Sequence, residues 1–407
     1  MKIYEYIKGE NERTAKLFGV PIMEQTSDYM TAERLQKFLG GIVTTHKTND
    51  PDSDYSKKEI KLFGYSIVKR IEENNYRNYY MFGKIVHKIS LLEQFKKEFS
   101  KYYSGDYDDV YILRANSGET YLTLTYVFDA LLKRNQSKKP LFIATLKYHI
   151  DMIKMICPDI PYVYAKKLRI KIQGTEFNLD NKRFFLLFDN MHFKNVENEI
   201  KNSPLGQAHY FKSIMKKLNM TEADLTYRKI TVHLEDERSM LAKVSKLGLN
   251  LDKFVFLAPE AQSCKLYDED FWCELINQFQ AKGYDVFVNL TDEDIKLRSA
   301  TNYKTCDLTF AEAFALARRS KKIVSLRSGF TEFLLQTNVP MDVLYTKFKY
   351  RHFFDDMDIY HVMSGFGLTQ LPFVDKEKIK EFNMFEMSQI ECIYNILKQS
   401  ADVKENE

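Results

Sequence analysis

Two patterns of apolar and polar positions divide this chain. Up to about residue 105 the apolar residues cluster around aromatic-glycine pairs, and from about Asp108 short apolar runs alternate with segments of helical spacing. The second pattern begins with VYIL at Val110 to Leu113, a helix from about Tyr121 to Arg134, and LFIAT at Leu141 to Thr145. A helix through Tyr148 to Ile156, closed by Cys157-Pro158, and the strand PYVYA at Pro161 to Ala165 follow. FFLLF at Phe184 to Phe188 and a helical region near His209 to Leu218 complete this series, which predicts a parallel, doubly wound domain.

A second series starts near Lys253. FVFLAP, YDVFVNL, KIVSL and MDVLY read as strands, and DEDFWCELINQFQAKG, LTFAEAFALARRS and SGFTEFLLQTN read as the helices between them. Asp268 places acids at the start of the first of these helices, and Gly283 supplies its stop. The expected fold is therefore α/β, with two tandem Rossmann-like doubly wound domains. The division reads as an appendage at 1–105, a first Rossmann-like domain at 106–240, a second at 241–384, and a helix and tail at 385–407, with the join near Thr231 to Leu251.

The appendage carries a loose internal repeat. AKLFGVPIMEQ at Ala15, IKLFGYSIVKR at Ile60 and YYMFGKIVHKI at Tyr79 share an aromatic-glycine centre, expected as a tight turn between two very short strands. The irregular spacing argues against a solenoid. TAERLQKFLGGIV, from Thr31, has apolar spacing that predicts a short helix. A structural appendage is the favoured reading of this region; the other is a docking module for membrane, acceptor or partner.

Composition narrows the class. The 407 residues exceed one ordinary core, and 44% hydrophobic residues suffice to fill two. With 60 basic and 56 acidic residues, a net charge of +4 and no tract of one sign, nucleic-acid binding is disfavoured. A peripheral contact with an anionic membrane surface stays open. Five scattered cysteines without C-x-x-C spacing suggest neither a disulfide framework nor a zinc site, and fit a reducing compartment. No apolar run approaches a membrane span and the charged N-terminus does not read as a signal peptide, so a soluble cytoplasmic protein is expected.

Three turns fall at expected strand carboxyl ends, where ligands of doubly wound folds bind. The first is Asn116-Ser117-Gly118-Glu119, the second runs from Pro259 to Lys265, and the third is Arg327-Ser328-Gly329. Ser328-Gly329 precedes a helix, where glycine and first-turn amides favour a phosphate; the plain alternative is an ordinary N-cap with Glu332 favouring the helix dipole. Arg327 would add a charged fork, or else be solvated or ion-paired. Lys265 would pair with a diphosphate, with Ser263 and Gln262 offering hydrogen bonds, or else be an exposed lysine. Glu119 is the strongest single candidate, either a base taking a proton from an acceptor hydroxyl or a first-turn acid stabilising its own helix. Asp106-x-Asp108, Asp292-x-Asp294 and Asp356-x-Asp358 read as solvated loops or helix starts rather than metal ligands. There is no H-x-x-x-H pair, no G-x-G-x-x-G, no GK[ST] loop and no G-x-S-x-G elbow, which argues against a dinucleotide enzyme, an ATPase or a hydrolase of that type.

With these turns the chain, over about Asp108 to Ile396, resembles glycosyltransferases of the two-Rossmann GT-B fold, nearest in pattern to bacterial heptosyltransferase-like enzymes. Gly118-Glu119 followed by Leu122, Thr123 and Thr125 looks like that family's first turn, which ends Gly-Asp before a helix. Pro259, Ala261, Ser263, Lys265 and Trp272 are similar to the opening of its second domain, and Ser328-Gly329 to its donor-phosphate turn. The chain departs from the family with Glu for the usual Asp at 119 and with Glu332 where heptosyltransferases tend to have His, so a donor other than ADP-heptose is expected. LRSG followed by an acid resembles transferases of surface-polysaccharide assembly, and MFEMSQIECIYNILKQS the fold's C-terminal helix.

The resemblance implies a sugar transferred from a nucleotide diphosphate donor to a saccharide or lipid-linked acceptor, inverting, with no metal and no further cofactor. Lys265, Arg327 and the amides at Ser328-Gly329 would stabilise the departing diphosphate, Ser263 and Glu332 would line the donor site, Asn116, Ser117 and Gly118 the cleft, and Glu119 would act as base. A nucleotide-sugar epimerase and a non-catalytic glycan- or nucleotide-binding relative are the alternative readings.

Overall fold

A computed structural model describes residues 4–8, 12–17, 20–28, 33–49, 56–114, 116–166, 168, 176–187, 193–261, 269–290, 297, 302–346 and 358–402. The chain divides into two compact units, one formed by Met1–Asp106 with Ala165–Leu186, the other by Tyr107–Tyr164 with Leu187–Glu407.

The first unit is built on nine antiparallel strands in chain order: β1 (Tyr4–Lys8), β2 (Glu12–Leu17), β3 (Val20–Asp28), β4 (Glu33–Phe38), β5 (Val43–Asn49), β6 (Ser56–Leu62), β7 (Tyr65–Glu73), β8 (Tyr76–Met81) and β9 (Lys84–Ser90). Two of the three aromatic-glycine pairs turn the chain, and the first, Phe18-Gly19, lies outside the described residues. Phe63-Gly64 joins β6 to β7 and Phe82-Gly83 joins β8 to β9, with positive φ at both residues of each pair, the combination that matches the twist of a two-residue hairpin. The strands they join run to nine residues rather than being very short. TAERLQKFLGGIV does not form the expected helix. Its ERLQKF is strand β4, paired on both sides, and Leu39–Gly41 makes a short 3₁₀ turn into β5. Cross-strand pairing on two flanks outweighs the weak helical spacing of a segment with no N-cap signal.

Helix α1 (Leu91–Phe99) starts on Ser90, whose hydroxyl accepts from the Glu93 amide. It packs Phe95 and Phe99 onto the hairpin of β13 (Glu176–Leu179) and β14 (Lys182–Leu187). Phe95 meets Phe177 and Phe184 edge-on at 5.3 Å, and those two rings stack at 4.9 Å. FFLLF, expected in a parallel series, is thus one arm of an antiparallel hairpin.

The second unit holds two parallel strand sets. In the first, β10 (Asp109–Leu113), β11 (Pro140–Ala144) and β12 (Tyr162–Tyr164) pair in parallel. Helices α2 (Ser117–Leu122) and α3 (Phe128–Asn135) connect β10 to β11, and α4 (Lys147–Ile156) leads to β12. Helices α5 (Phe193–Asn202), α6 (Tyr210–Lys217) and α7 (Leu234–Ser245) then carry the chain to the second set. The stretch read as a join is largely helix α7, whose Lys243 pairs with Glu312, 2.7 Å away on a later helix.

The second set is β15 (Phe254–Ala258), β16 (Asp285–Val288), β17 (Lys322–Leu326), β18 (Met341–Tyr345) and β19 (Ile379–Asn383), all parallel, in the order β16-β15-β17-β18-β19. Its helices are α8 (Glu269–Ala281), α9 (Phe310–Ala317), α10 (Gly329–Leu334), α11 (Ile359–Phe366) and α12 (Gln389–Asp402). Phe271, Leu275, Ile276 and Phe279 form the buried face of α8, and Gly283 ends the turn after it at φ +75°. The strand order reverses between β15 and β17, so a ligand crevice is expected beyond the carboxyl ends of those two strands.

Candidate active site

Two of the three turns singled out in the sequence meet within the second unit. The turn after β10 opens α2 and the turn after β17 opens α10, and the two helix starts touch glycine to glycine. A Cβ on Gly329 would stand 2.4 Å from the Gly118 nitrogen and from Ser117 Oγ. One on Gly118 would stand 3.0 Å from Gly329 Cα and 2.0 Å from Glu332 Oε2. Both glycines are required by close approach rather than by φ.

Beneath this contact lies a charged cluster. Arg327 and Glu332 are both buried, with Arg327 Nη2 donating to Glu332 Oε1 at 2.5 Å. Tyr210 OH, from α6, donates to the same oxygen. Arg327 also donates to the carbonyls of Phe366 at 3.0 Å and Ser328 at 3.1 Å, and its guanidinium lies over the Tyr210 ring at 5.5 Å. Glu332 Oε2, against Gly118, has no hydrogen-bond partner among the described residues. Burial pushes the Glu332 carboxyl up, partly offset by Arg327, and the same burial with the carboxylate beside it pushes the Tyr210 phenol well up. Arg327 stays charged, its pKa held high by Glu332 against its own desolvation.

Glu119 sits in the first turn of α2, 8% exposed. Its charge acts on two phenols, Tyr148 of α4, whose pKa burial and then Glu119 push up to about 12, and Tyr210. Thr123 Oγ1 donates to the Glu119 carbonyl at 2.7 Å, just where the helix widens into a π turn over Thr123–Val127. The carbonyls of Thr125 and Tyr126 accept from the amides of Arg228 and Thr226, both at 2.9 Å. Insertions of this kind re-aim a helix where the ladder is shared with another segment.

Ser328 is the N-cap of α10. Its hydroxyl accepts from the Thr331 amide at 3.3 Å, and its own amide donates to Thr331 Oγ1 at 3.1 Å. So Arg327, Ser328 and Glu332 are engaged within the protein, and Ser117-Gly118 covers Gly329. Asn116 precedes α2 without a side-chain capping bond. Ser263, Lys265 and Gln262 lie outside the described residues, as does most of the Pro259 to Lys265 turn beyond Ala261.

Three participants were not foreseen. Tyr210, Tyr148 and His209 come from helices far in sequence from either turn. His209, the N-cap of α6, accepts from the Phe211 amide at Nδ1, 3.2 Å away, which fixes Nε2 as the protonated nitrogen that donates to the Gly367 carbonyl at 3.0 Å. Burial takes its pKa down to about 3.

No protein-family model and no curated protein matches the chain. Among solved structures it is similar to a glycosyl transferase family 9 protein from Veillonella parvula, at 14% identity over 73% of this chain and 92% of that one, with a TM-score of 0.46. It is also similar to the ADP-heptose LPS heptosyltransferase II of E. coli, at 10% identity, 73% and 99% coverage and a TM-score of 0.43. The E. coli heptosyltransferase WaaC with ADP gives 12% identity, 72% and 99% coverage and a TM-score of 0.43.

Proposed function

We propose that this chain is a glycosyltransferase that moves a sugar from a nucleotide diphosphate sugar to a saccharide or lipid-linked acceptor in surface-glycan synthesis. The observation that carries the reading is the meeting of the β10 and β17 turns at strand carboxyl ends, with Glu119 on one side of the contact and Ser328-Gly329 on the other. Doubly wound domains bind ligands at such edges, and two of them in one unit supply separate walls for donor and acceptor.

Glu119 takes the proton of an acceptor hydroxyl as that oxygen attacks the anomeric carbon and the nucleoside diphosphate departs, which inverts the configuration. Lys265 neutralises charge on the departing diphosphate, and the half-buried Ser328-Gly329 turn offers it hydrogen bonds. Arg327 and Glu332 act as positioning residues, since each is held by the other and by Tyr210, and they fix the β17 turn against Gly118. Asn116 and Ser117 line the acceptor side.

The test is a thermal-shift panel of UDP, GDP, ADP, CMP and their sugar conjugates, followed by product analysis with the donor that stabilises the chain. Transfer or slow donor hydrolysis supports the reading, and an epimerised sugar supports an epimerase instead. The closure of Gly329 by Ser117-Gly118 favours one second reading, a non-catalytic nucleotide- or glycan-binding protein. Stabilisation by a nucleotide sugar with neither transfer nor hydrolysis decides for it.

A further inference from the structure

In a sheet whose strands follow in chain order, alternate hairpins share an end. The connections β2 to β3, β4 to β5, β6 to β7 and β8 to β9 therefore line one end of the nine-stranded sheet, closed by the pairs Leu17↔Val20, Phe38↔Val43, Leu62↔Tyr65 and Met81↔Lys84. Neighbouring turns are tied together, since the Phe63 amide donates to the Ile42 carbonyl at 2.8 Å and the Phe82 amide to the Ile67 carbonyl at 3.0 Å.

This end is apolar and exposed. Val20, Leu39, Phe63, Tyr65, Phe82 and Ile85 all stand out from it, with Phe63 68% and Phe82 69% exposed. Each turn also carries a lysine, in order Lys16, Lys37, Lys61 and Lys84, and no acid lies within three residues of Leu17–Val20, Leu39–Gly41, Phe63-Gly64 or Phe82-Gly83; the nearest, Glu24 and Glu59, are four residues away. The opposite end mixes acids, Glu12, Asp28, Glu33, Glu72 and Glu73, with bases such as Arg13, Arg34, Lys57 and Arg77, and Asp28 and Glu33 are directly paired. The two ends thus differ in their acids rather than their bases: lysines stand by the apolar turns with no acid at the turns themselves, and the nearest ion pair is Lys61 with Glu59 of β6 at 3.8 Å.

The backbone gives a second, independent sign. Phe63 and Phe82 both sit at φ +48°, the left-handed region that a bulky L-residue enters at a cost and where Asn is the favoured non-glycine residue. Neither ring is buried, so packing within the chain does not explain an aromatic residue at a position that disfavours it.

We propose that this end of the nine-stranded sheet is a membrane-docking edge, in which the turn side chains enter the interface of an anionic bilayer and the four lysines meet its headgroups. Aromatic and aliphatic tips flanked by lysine suit that boundary, where apolar burial and attraction to anionic lipid add. The inference concerns the first unit alone and stands whether or not the transferase reading of the second does.

The test is flotation of the full chain with vesicles of phosphatidylcholine containing roughly a third phosphatidylglycerol, against phosphatidylcholine alone, at low and high salt. The key variant is Phe63→Asn with Phe82→Asn, which suits the turn conformation and is expected to melt no lower than the parent. Binding is expected to prefer anionic vesicles, to weaken with salt, and to fall by about tenfold or more in the double variant. Lys61→Glu with Lys84→Glu is expected to remove the anionic preference. Equal binding to neutral vesicles, or unchanged binding in the folded Asn variant, overturns the proposal. So does a dimer, seen by sedimentation, that the same Asn substitutions dissociate, because the edge then serves a second copy of the chain.

Discussion

Gly118 and Gly329 lie so close that neither has room for a Cβ, the nearest atoms being 2.0 Å away at Gly118 and 2.4 Å at Gly329. Two turns separated by about half the sequence are thereby joined backbone to backbone, with the Ser117 hydroxyl and the Glu332 carboxylate packed at the contact. The contact also explains why Glu332, at the back of α10, presses one carboxylate oxygen against α2.

Alanine at either glycine is expected to destabilise the chain by about 1–3 kcal/mol, the usual cost of overpacking a tight contact. Gly329→Ala should be the worse, because its Cβ meets the Gly118 backbone nitrogen, whereas at Gly118 the nearest atom belongs to a side chain, though one held by Arg327 and Tyr210. Melting curves check the order. Equal wild-type stability in both variants would mean that the two turns are not in contact in solution.

Glu119→Gln keeps the shape of the α2 start and removes the carboxylate. On the proposed mechanism transfer should fall by roughly 10²–10⁴-fold, the range of general base catalysis, with donor affinity little changed. Single-turnover transfer and donor binding measured side by side test this. Near-normal transfer assigns the base elsewhere, and Tyr148 and Tyr210, both coupled to the Glu119 charge, do not replace it, because burial holds their phenols protonated.

The alternation of strand and helix in the second unit was legible because its strands are short, wholly apolar runs such as FVFLA and KIVSL, bounded by turn residues. The turns at Asn116 and Arg327 were legible for the same reason. What the pattern could not convey was that they touch, or that Tyr210 would reach Glu332 across 122 positions, since such contacts depend on how helices α2, α6 and α10 pack. In the first unit the aromatic-glycine pairs mark two turns, yet the apolar spacing of TAERLQKFLGGIV matches a helical period although ERLQKF is a strand. Its strand character comes from the neighbours on either side, which a single segment does not reveal.

The Arg327–Glu332 pair predicts an asymmetric mutational response. Glu332→Ala leaves a buried guanidinium without its counter-charge and should cost about 3–5 kcal/mol. Replacing both residues with apolar ones of similar volume, Arg327→Met with Glu332→Leu, should recover most of that loss, because the desolvation of two charges disappears together. Urea denaturation of the three proteins measures the difference. A double variant as unstable as Glu332→Ala would show that Arg327 matters mainly through its bonds to the Phe366 and Ser328 carbonyls.

His209 makes stability depend on pH in a defined direction. In the folded chain its pKa is near 3, against an ordinary value of 6.5, because burial excludes the charged ring while Arg327 and Lys212 also oppose it. Between these values the unfolded chain binds a proton that the folded chain does not, so stability rises with pH across the window and is lost as pH falls from 6.5 toward 3. One proton corresponds to a slope of about 1.4 kcal/mol per pH unit. His209→Asn keeps an N-cap acceptor for the Phe211 amide and should be less stable than the parent at pH 7, through loss of the bond to the Gly367 carbonyl. Its stability should fall less steeply between pH 6.5 and 5, above the range in which most carboxylates titrate, so the gap between the two proteins narrows as the solution is acidified. Denaturation midpoints at those two pH values read the slope directly, and parallel curves would mean that the ring accepts its proton without unfolding, with α6 and Gly367 able to separate around it.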